Sequence, residues 1–432
     1  MRIYPAKSLH GTVHLPGDKS ISHRAALIAA MAVGDTRIEN FSTAEDCQTT
    51  IKCLKELGVS ITQIGNDVLV KGVGKNGFRK PIGPLDCGNS GTTLRLLAGI
   101  LAGQDFETTL IGDESLKKRP MQRVIDPLEK MGARIGSSDD KPPLTISGIY
   151  PLRSFAHVQN IASAQVKSSI LLAALNSDGD TSIIETIWTR DHTERMLEWF
   201  DVNVRTSMRK DRKQVTVSGS EVLKAHDVKI PSDISSAAFF IVAAACLRGS
   251  NIEMTNVGVN RTRTAICDLI FDLCADAEIH TFTDVCNERV GTINVYGGLL
   301  PRKQRLLLNG PIIAQMIDEL PIIAILGTQL EHGIEVRDAG ELRVKESDRI
   351  VAITENLKRM GAEVTEFDDG FKVEKSRLKG AVVDSFGDHR IAMAFAVAGI
   401  LADGETEIID AHCVDVSFPG FFDVLASITR ST

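Results

Sequence analysis

The feature that most constrains the fold of this chain is an internal repeat. Six times, a small polar cluster leads into an Ala-rich apolar helix, then a glycine, then a short β-prone run. Such self-similarity, with the glycines 69 to 84 residues apart, is typical of repeat architectures. Helices that are apolar all round belong in a domain interior. We expect each glycine to occupy the C′ position of its helix, where a positive φ costs it little. The six glycines are Gly34, Gly103, Gly179, Gly249, Gly333 and Gly404.

A second, amphipathic helix follows in five of the six repeats. Pro127 is expected to kink or split the second of these helices. Alternating runs such as DVLVKG and KQVTVSG then indicate pairs of strands. The repeat therefore predicts βαβαββ, and the chain an α/β protein with buried helices. In the sixth repeat the helix FPGFFDVLASI runs to the chain end, and the pair of strands is missing. The five amphipathic helices are predicted to begin at Asp46, Pro120, His192, Thr262 and Ser347.

One further self-match divides the chain in two. The segment VHLPGDKSIS resembles VKIPSDISS, and the offset from Pro16 to Pro231 is 215 residues, almost half of 432. We interpret the two segments as crossovers, and as possible hinges, between two domains of three repeats each. Residues 1–17 and 233–432 would form a discontinuous domain and residues 18–232 a continuous one, with the active-site cleft between them. The alternative is a chance match between two strand–turn–helix segments.

Charge and composition exclude several classes of protein. Lys plus Arg is 49 and Asp plus Glu is 56, and this net charge of −7 argues against a protein that coats nucleic acid. Residues 237–247, the longest wholly apolar run, are too few to span a bilayer. The N-terminus has no apolar signal region, and the eight cysteines form no CxxC. We therefore expect a cytoplasmic enzyme. Since no metal-binding spacing is present, no motif indicates a metal.

Anion-binding side chains recur where the buried helices begin. Unpaired N–H groups at a helix N-terminus favour phosphate and carboxylate. An alternative reading is that Ser, Asn and Asp at these positions are ordinary N-caps. That reading does not explain the cations on otherwise apolar helices, because buried unpaired cations are costly. The residues concerned are Lys19, Ser20 and Arg24 in the first repeat, Gly91 and Arg95 in the second, Ser163, Ala164 and Gln165 in the third, and Arg390 in the sixth.

Two acidic residues stand out as candidate proton carriers. Glu346 lies among the basic side chains of the segment RVKESDR, and a carboxylate held among cations and a bound anion is suited to proton transfer. Asp318 opens the apolar helix of the fifth repeat, where it is either the N-cap or a general base. Other basic residues lie in predicted loops, within KKRP and TRDH.

Eight motifs, in one order along the chain, carry a resemblance to a known family. Together they resemble 5-enolpyruvylshikimate-3-phosphate (EPSP) synthase, from about residue 7 to residue 424. The resemblance implies two domains of three βαβαββ units each, the inside-out α/β barrel of the enolpyruvyl transferases. The motifs are LPGDKSISHRAALIAA, GNSGTTLRLLAG, KKRPM, ASAQVKSSILLAAL, TRDHTERML, ELRVKESDRI, GDHRIAMAF and SFPGFF.

The resemblance also implies a reaction and a set of site residues. The family transfers the enolpyruvyl group of phosphoenolpyruvate to the 5-hydroxyl of shikimate 3-phosphate through a tetrahedral ketal, without a cofactor. Asp318 would be the base and Glu346 the acid, with Lys19 a participant. Implied shikimate 3-phosphate ligands are Lys19, Ser20, Arg24, Ser163, Ala164, Gln165, Arg190, Asp318 and Lys345. Implied phosphoenolpyruvate ligands are Lys19, Gly91, Arg119, Gln165, Arg349 and Arg390. The same resemblance suggests a glyphosate site and a monomer.

Some positions depart from the family pattern, and two other functions compete. Val416 stands where some members have a lysine that touches phosphoenolpyruvate, and Ala164 stands where others have serine. The sister transferase acting on UDP-N-acetylglucosamine usually has Lys-Asn near its N-terminus and a reactive Cys in a mobile loop. Here Ser20 follows Lys19, and the loop DESLKKR has no Cys. A non-catalytic scaffold would have no need for Asp318 and Glu346 beside so many cations.

Overall fold

The structure is a computed structural model that describes residues 1–274 and 276–431. Ala275, within the predicted helix of the fourth repeat, and Thr432, the last residue of the predicted discontinuous domain, lie outside these residues. Contacts divide the chain into two compact units. The discontinuous unit comprises Met1–Pro16, Pro231–Asp284 and Arg289–Thr432, and the central unit comprises Gly17–Ile230 and Val285–Glu288.

Helices are distributed along the whole chain. None of those in residues 1–274 and 276–431 combines the length and the apolar content that a membrane span needs. Short 3₁₀ helices lie at Leu116–Lys118, Gly340–Val344 and Ala411–Val416. The α-helices in the described residues are α1 (Lys19–Met31), α2 (Glu45–Glu56), α3 (Gly91–Ala102), α4 (Gln122–Lys130), α5 (Ala164–Ala174), α6 (His192–Trp199), α7 (Ile234–Cys246), α8 (Ala265–Leu273), α9 (Pro311–Met316), α10 (Leu320–Gln329), α11 (Arg349–Arg359), α12 (His389–Leu401) and α13 (Phe421–Ile428).

The strands are short and alternate with the helices. They are β1 (Arg2–Ile3), β2 (Ala6–Thr12), β3 (Val33–Glu39), β4 (Ser60–Ile64), β5 (Asp67–Val73), β6 (Leu85–Asp86), β7 (Glu107–Ile111), β8 (Arg134–Ser138), β9 (Lys141–Ser147), β10 (Ala156–Gln159), β11 (Asp180–Glu185), β12 (Arg205–Arg209), β13 (Arg212–Ser218), β14 (Val228–Lys229), β15 (Asn251–Gly258), β16 (Ala277–Val285), β17 (Glu288–Tyr296), β18 (Leu306–Leu308), β19 (Ile334–Val336), β20 (Val364–Phe367), β21 (Gly370–Val373), β22 (Val382–Asp384), β23 (Thr406–Ile409) and β24 (Thr429–Ser431).

The described part of the central unit contains three four-stranded sheets, one for each repeat, and β14 from the end of the unit supplies the first strand of the first sheet. Their strand orders are β14-β3-β5-β4, β6-β7-β9-β8 and β10-β11-β13-β12. In each sheet the first two strands are parallel, and an antiparallel hairpin follows. Nearly all side chains of α1, α3 and α5 are buried in one apolar core, because these helices carry apolar residues on every side. The predicted βαβαββ repeat is confirmed.

The discontinuous unit repeats this plan with its own core, which surrounds α7, α10 and α12. Its sheets in the described residues have the orders β16-β17-β15-β2-β24, β18-β19-β21-β20 and β1-β23-β22. The second strand, β2, runs parallel to β15 and supplies the first strand of the fourth repeat. The last strand, β24, pairs antiparallel with β2, whereas the first strand, β1, pairs with β23 in another sheet.

Two local expectations are wrong. None of the six glycines lies at C′: Gly103 is itself the C-cap with φ −92°, and Gly179 lies beyond the end of α5. Four buried helices end in an already extended C-cap residue, so positive φ at a glycine two or three residues later serves the turn into the next strand. Helix α4 runs through Pro127 without splitting. A proline this close to a helix end removes one backbone hydrogen bond, and the apolar face of α4 stays buried.

Candidate active site

In the central unit, the start of α1 presents two of the predicted cations. Asp18 caps the helix, since its carboxylate accepts a hydrogen bond from the backbone N–H of Ile21 at 2.9 Å. The Lys19 ammonium lies 3.0 Å from the Asp46 carboxylate, which opens α2. Arg24, one turn further along α1, is buried and donates to the carbonyl oxygen of Ser20 at 2.8 Å. Ser20 and Arg24 are therefore held in contact.

Arg24 is also fixed from two other helices. Its Nε donates to the Thr193 hydroxyl and its Nη2 to the Ser168 hydroxyl, both at 2.8 Å. These two hydroxyls are 2.6 Å apart, which ties α5 to α6 at the same point. The guanidinium thus has a single orientation before any ligand binds, as a preorganised anion site requires.

A second group gathers around the start of α3. The Arg95 Nη1 donates to the Gln165 amide oxygen at 2.6 Å, and the Gln165 amide nitrogen donates to Thr92 at 2.9 Å. A Cβ on Gly91 would lie 2.9 Å from Arg95 Nη1 and 3.0 Å from Arg119 Nη1. Gly91 therefore lets two guanidinium groups lie against the helix N-terminus. This group brings together Gly91, Arg119 and Gln165, three of the residues that the resemblance implies, through Arg95.

The third buried helix of this unit begins at Ala164. The Ser163 hydroxyl caps α5 by accepting from the backbone N–H of Val166 at 3.4 Å, and the Ala164 carbonyl accepts from Ser168 at 2.6 Å. Arg190 is partly buried and lies between β11 and α6. The chain on either side of Arg190 is anchored: Thr189 is buried, and the Asp191 carboxylate pairs with Arg195 at 2.9 Å.

In the discontinuous unit, the Asp318 carboxylate is surrounded by three cations. Its oxygens lie 3.4 Å from Lys345 Nζ, 3.6 Å from Arg349 Nη1 and 3.9 Å from Arg390 Nη2. Arg390 Nη1 also donates to the Asp318 backbone carbonyl at 3.0 Å. Asp318 is not the N-cap of α10, a position that Glu319 occupies. Of the two readings of Asp318, the N-cap is therefore wrong, and the general base stays a prediction.

The Glu346 carboxylate joins the same group through Arg349. Arg349 is 1% exposed and donates to Glu346 at 2.7 Å and to both Asp388 oxygens at 2.8 and 3.2 Å. Burial alone would lower the pKa of Arg349, but Asp388, Glu346 and Asp318 raise it above its usual value. Arg349 is therefore a permanent cation between two carboxylates that the sequence singled out.

Several residues that build these groups were missed by sequence reasoning. Asp388 holds Arg349 and caps α12 through the backbone N–H of Arg390, and Asp46 holds Lys19. Both could have been found, because buried cations need carboxylate partners. Thr193 and Ser168 carried no signal that a sequence could reveal. Among the described residues no cluster of three or more His, Cys, Asp or Glu is placed to hold a metal ion.

Repeats on the βαβαββ plan around buried helices, with helix starts rich in fixed cations and capping carboxylates, define the enolpyruvyl transferase class. The family model of EPSP synthase (3-phosphoshikimate 1-carboxyvinyltransferase) matches residues 3–425. A 3-phosphoshikimate 1-carboxyvinyltransferase of Solibacter usitatus is 46% identical over 431 residues, 99% of each chain. One of Pelotomaculum thermopropionicum is 47% identical, covering 99% of this chain and 98% of its own.

Solved structures agree with these relatives. EPSP synthase from Acinetobacter baumannii superimposes with a TM-score of 0.86 at 36% identity, over 100% of this chain and 98% of that one. The chain therefore belongs to the EPSP synthase family. Its reaction is the family's transfer of the enolpyruvyl group of phosphoenolpyruvate to shikimate 3-phosphate, a step of aromatic amino acid biosynthesis.

Proposed function

We propose that this transfer is carried out by two sets of residues, acting on one pair of substrates. One set lies around the starts of α1, α3 and α5 in the central unit, and the other surrounds Asp318 in the discontinuous unit. The observation that carries the proposal is the pair of carboxylates, Asp318 and Glu346, fixed among Lys345, Arg349 and Arg390. A binding module for anions needs the cations alone. An addition–elimination reaction also needs a group that accepts a proton and a group that donates one. The two carboxylates among the cations can serve as these groups.

Substrate charge explains why so many cations are needed. Each substrate carries a phosphate and a carboxylate, about three negative charges near neutral pH, and two such anions repel each other. Arginines can grip both groups with two parallel hydrogen bonds. We assign shikimate 3-phosphate to Lys19, Ser20, Arg24, Ser163, Ala164, Gln165, Arg190, Asp318 and Lys345. We assign phosphoenolpyruvate to Lys19, Gly91, Arg119, Gln165, Arg349 and Arg390.

The chemistry follows from the positions of the carboxylates. Asp318 takes the proton of the 5-hydroxyl as the oxygen attacks C2 of phosphoenolpyruvate. Glu346 delivers a proton to the C3 methylene, which gives the tetrahedral ketal. In the second half, the Glu346 carboxylate takes a proton back from the new methyl group, and the phosphate leaves with the proton that Asp318 holds. We assign Lys19 to neutralise charge on both substrates. Holding the reactants in attack geometry can itself lower the barrier by up to about 7–11 kcal/mol.

The test is phosphate release from phosphoenolpyruvate with two acceptors assayed separately, shikimate 3-phosphate and UDP-N-acetylglucosamine. We expect release with the first only. Lys19→Ala and Arg390→Ala should each lower kcat/KM by at least about a hundredfold while the protein stays folded by circular dichroism, because each removes a charge that the transition state requires. Turnover with UDP-N-acetylglucosamine alone would overturn the substrate assignment. Full activity of either variant would overturn the site assignment.

Three further properties belong to the same proposal. We propose that glyphosate, an anion of similar charge, competes with phosphoenolpyruvate beside Gly91; an inhibition pattern that is not competitive would contradict this.

We propose that the enzyme is a monomer, to be measured by light scattering on a sizing column. We also propose a cytoplasmic location, which is typical of the family and is checked by cell fractionation.

A further inference from the structure

A buried charged cluster in the central unit takes no part in the proposed chemistry. Lys167 on α5 and Glu185 at the end of β11 are both 0% exposed, and their charged atoms are 3.1 Å apart. The Lys167 ammonium also lies 2.8 Å from the carboxylate of Glu194 on α6. We call Lys167, Glu185 and Glu194 the buried ion cluster.

The buried ion cluster has one positive and two negative charges, and the nearby Lys213 balances it. Burial would lower the pKa of Lys167, but Glu194 and Glu185 raise it above its usual value, so the ammonium stays protonated. Lys213 Nζ, 3.8 Å from Glu194, supplies a second positive charge. Clusters of this kind add little stability compared with apolar side chains of the same volume, because removing charges from water is costly. The cluster therefore calls for an explanation other than stability.

The contacts of Thr189 supply that explanation. Its backbone N–H and its hydroxyl donate to Glu185 Oε1 at 3.1 and 2.5 Å, and its carbonyl accepts from Lys167 Nζ at 3.4 Å. All three polar groups of Thr189 are thus held by one lysine–glutamate pair. The next residue along the chain is Arg190, so the backbone directly before Arg190 is fixed.

The same lysine connects this point to the start of α5. Lys167 lies two residues after Gln165 and four after Ser163, so it is part of the helix turn that presents both. The Lys167–Glu185 pair therefore sets the distance between Arg190 and two other proposed ligands of shikimate 3-phosphate. Movement at Thr189 would displace Arg190 without altering any of the carboxylates assigned to proton transfer.

We propose that Lys167, Glu185 and Thr189 are positioning residues that fix Arg190 against the start of α5 and thereby set the affinity for shikimate 3-phosphate. The inference rests on the proposed function, specifically on Arg190 as a ligand of that substrate. It predicts an effect on one substrate only, and an effect that depends on Arg190.

The experiment measures kcat and the KM of each substrate, with the Kd of shikimate 3-phosphate from calorimetry, for Thr189→Val. This change removes the hydrogen bond from the Thr189 hydroxyl to Glu185. We therefore expect KM and Kd for shikimate 3-phosphate to rise about five- to tenfold. The KM of phosphoenolpyruvate and kcat should stay within about twofold. Thr189→Ser, which keeps the hydroxyl, should restore the wild-type values. The matched control is Thr181→Val on β11, the strand that ends at Glu185: Thr181 is buried, and its hydroxyl has no hydrogen-bond partner among the described residues.

A double-mutant cycle separates positioning from general loosening. In an Arg190→Ala background, Thr189→Val should cause no further rise in the KM of shikimate 3-phosphate. A further rise of the same size, or an equal rise for phosphoenolpyruvate, would overturn the inference.

If Thr189→Val does not fold, Thr189→Ala is measured in the same way. If Arg190→Ala alone leaves the KM of shikimate 3-phosphate unchanged, the assignment of Arg190 in the proposed function fails. If Arg190→Ala raises it and the Thr189 variants do not, only the inference fails.

Discussion

At the scale of single residues, the site consists of cations whose orientations are set by fixed partners. Arg349 is held by Asp388 and Glu346, and Arg24 by Thr193 and Ser168. A buried guanidinium without such partners would be too costly to keep. With them it keeps one orientation, so at the proposed substrate site little reorganisation would be needed in the transition state.

Gly91 is the residue where the absence of a side chain matters most. In Gly91→Ala the new methyl group would lie 2.9 Å from Arg95 and 3.0 Å from Arg119, so the ends of both guanidinium groups must shift by a few tenths of an ångström. We expect the KM of phosphoenolpyruvate to rise about five- to tenfold, since hydrogen bonds to the ligand lengthen, while kcat changes little. The inhibition constant of glyphosate should rise as well.

The control for this prediction is Gly83→Ala. A Cβ on Gly83 would meet no atom within 4 Å. Steady-state kinetics of both variants give the comparison. An unchanged KM in Gly91→Ala, or an equal change in Gly83→Ala, would contradict the placement of phosphoenolpyruvate beside Gly91.

His23 gives the protein a pH dependence of stability. Burial, and the charges of Lys19 and Arg24, hold its pKa well below the usual 6.5. Above pH 6.5 the imidazole is neutral in the folded and unfolded chains alike. Below pH 6.5 the unfolded chain binds a proton that the folded chain does not, so the free energy of unfolding falls as the pH is lowered toward the depressed pKa. The loss is up to about 1.4 kcal/mol for each pH unit.

His23→Asn isolates this contribution. Asparagine does not titrate, and it can still hydrogen-bond to Thr50, whose hydroxyl lies 2.7 Å from His23 Nδ1. Denaturant unfolding between about pH 7.5 and 5.5 should show a shallower decline for His23→Asn than for the wild type. The carboxylates are common to both proteins and cancel in the difference. Parallel pH profiles would show that His23 becomes protonated without cost.

At the scale of elements, the starts of helices were easier to predict than their ends. Asp18, Ser90 and Ser163 cap the buried helices of the central unit, which matches the alternative reading of small polar residues before apolar runs as ordinary N-caps. The ends were mispredicted because several C-cap residues are already extended, so no left-handed residue is needed there. An N-cap is a local hydrogen bond that the sequence encodes directly. How a helix ends depends on the strand that follows and on the sheet it joins.

Helix packing in the central unit depends on one close approach. Helices α3 and α5 meet at Gly99, where a Cβ would lie 2.1 Å from the Ser169 carbonyl oxygen of the neighbouring helix. No real Cβ tolerates such a distance, and the atom that must move is backbone. The small side chains of the Ala- and Gly-rich helices are thus what allows three of them to fit inside one unit.

Gly99→Ala should therefore lower the free energy of unfolding by about 1–3 kcal/mol, the usual range for overpacking a core. The gain in helix propensity, about 1 kcal/mol, offsets only part of it. Urea unfolding monitored by circular dichroism gives the measurement. Gly136→Ala is the control, because its Cβ would lie 3.9 Å from its nearest neighbour, an ordinary contact. Equal stability of the two variants would mean that α3 can move away from α5 without loss.

At the scale of the whole molecule, the six repeats could be predicted because the hydrophobic period and the glycine spacing are visible in the sequence. The grouping of site residues could be predicted only in part. Arg24 and Thr193 are 169 residues apart, and Arg349 and Asp388 are 39 apart. Such pairs form because the fold brings a helix of one repeat against a helix of another. Sequence alone shows that a cation needs a partner, but not which residue provides it.

The distribution of charge predicts the response of the whole molecule to salt. The net charge is −7, and both substrates are anions, so the overall field repels them while the local cations attract them. The Debye length is about 10 Å at 0.1 M salt, so remote surface charges are screened first and the cations nearest the substrate dominate.

We therefore expect kcat/KM for both substrates to fall severalfold between about 20 and 500 mM KCl, with kcat within about twofold. Arg190→Gln should show a shallower dependence for shikimate 3-phosphate, because it removes one attracting charge. A kcat/KM that rises with salt would mean that the overall negative charge, and not the local cations, governs substrate capture.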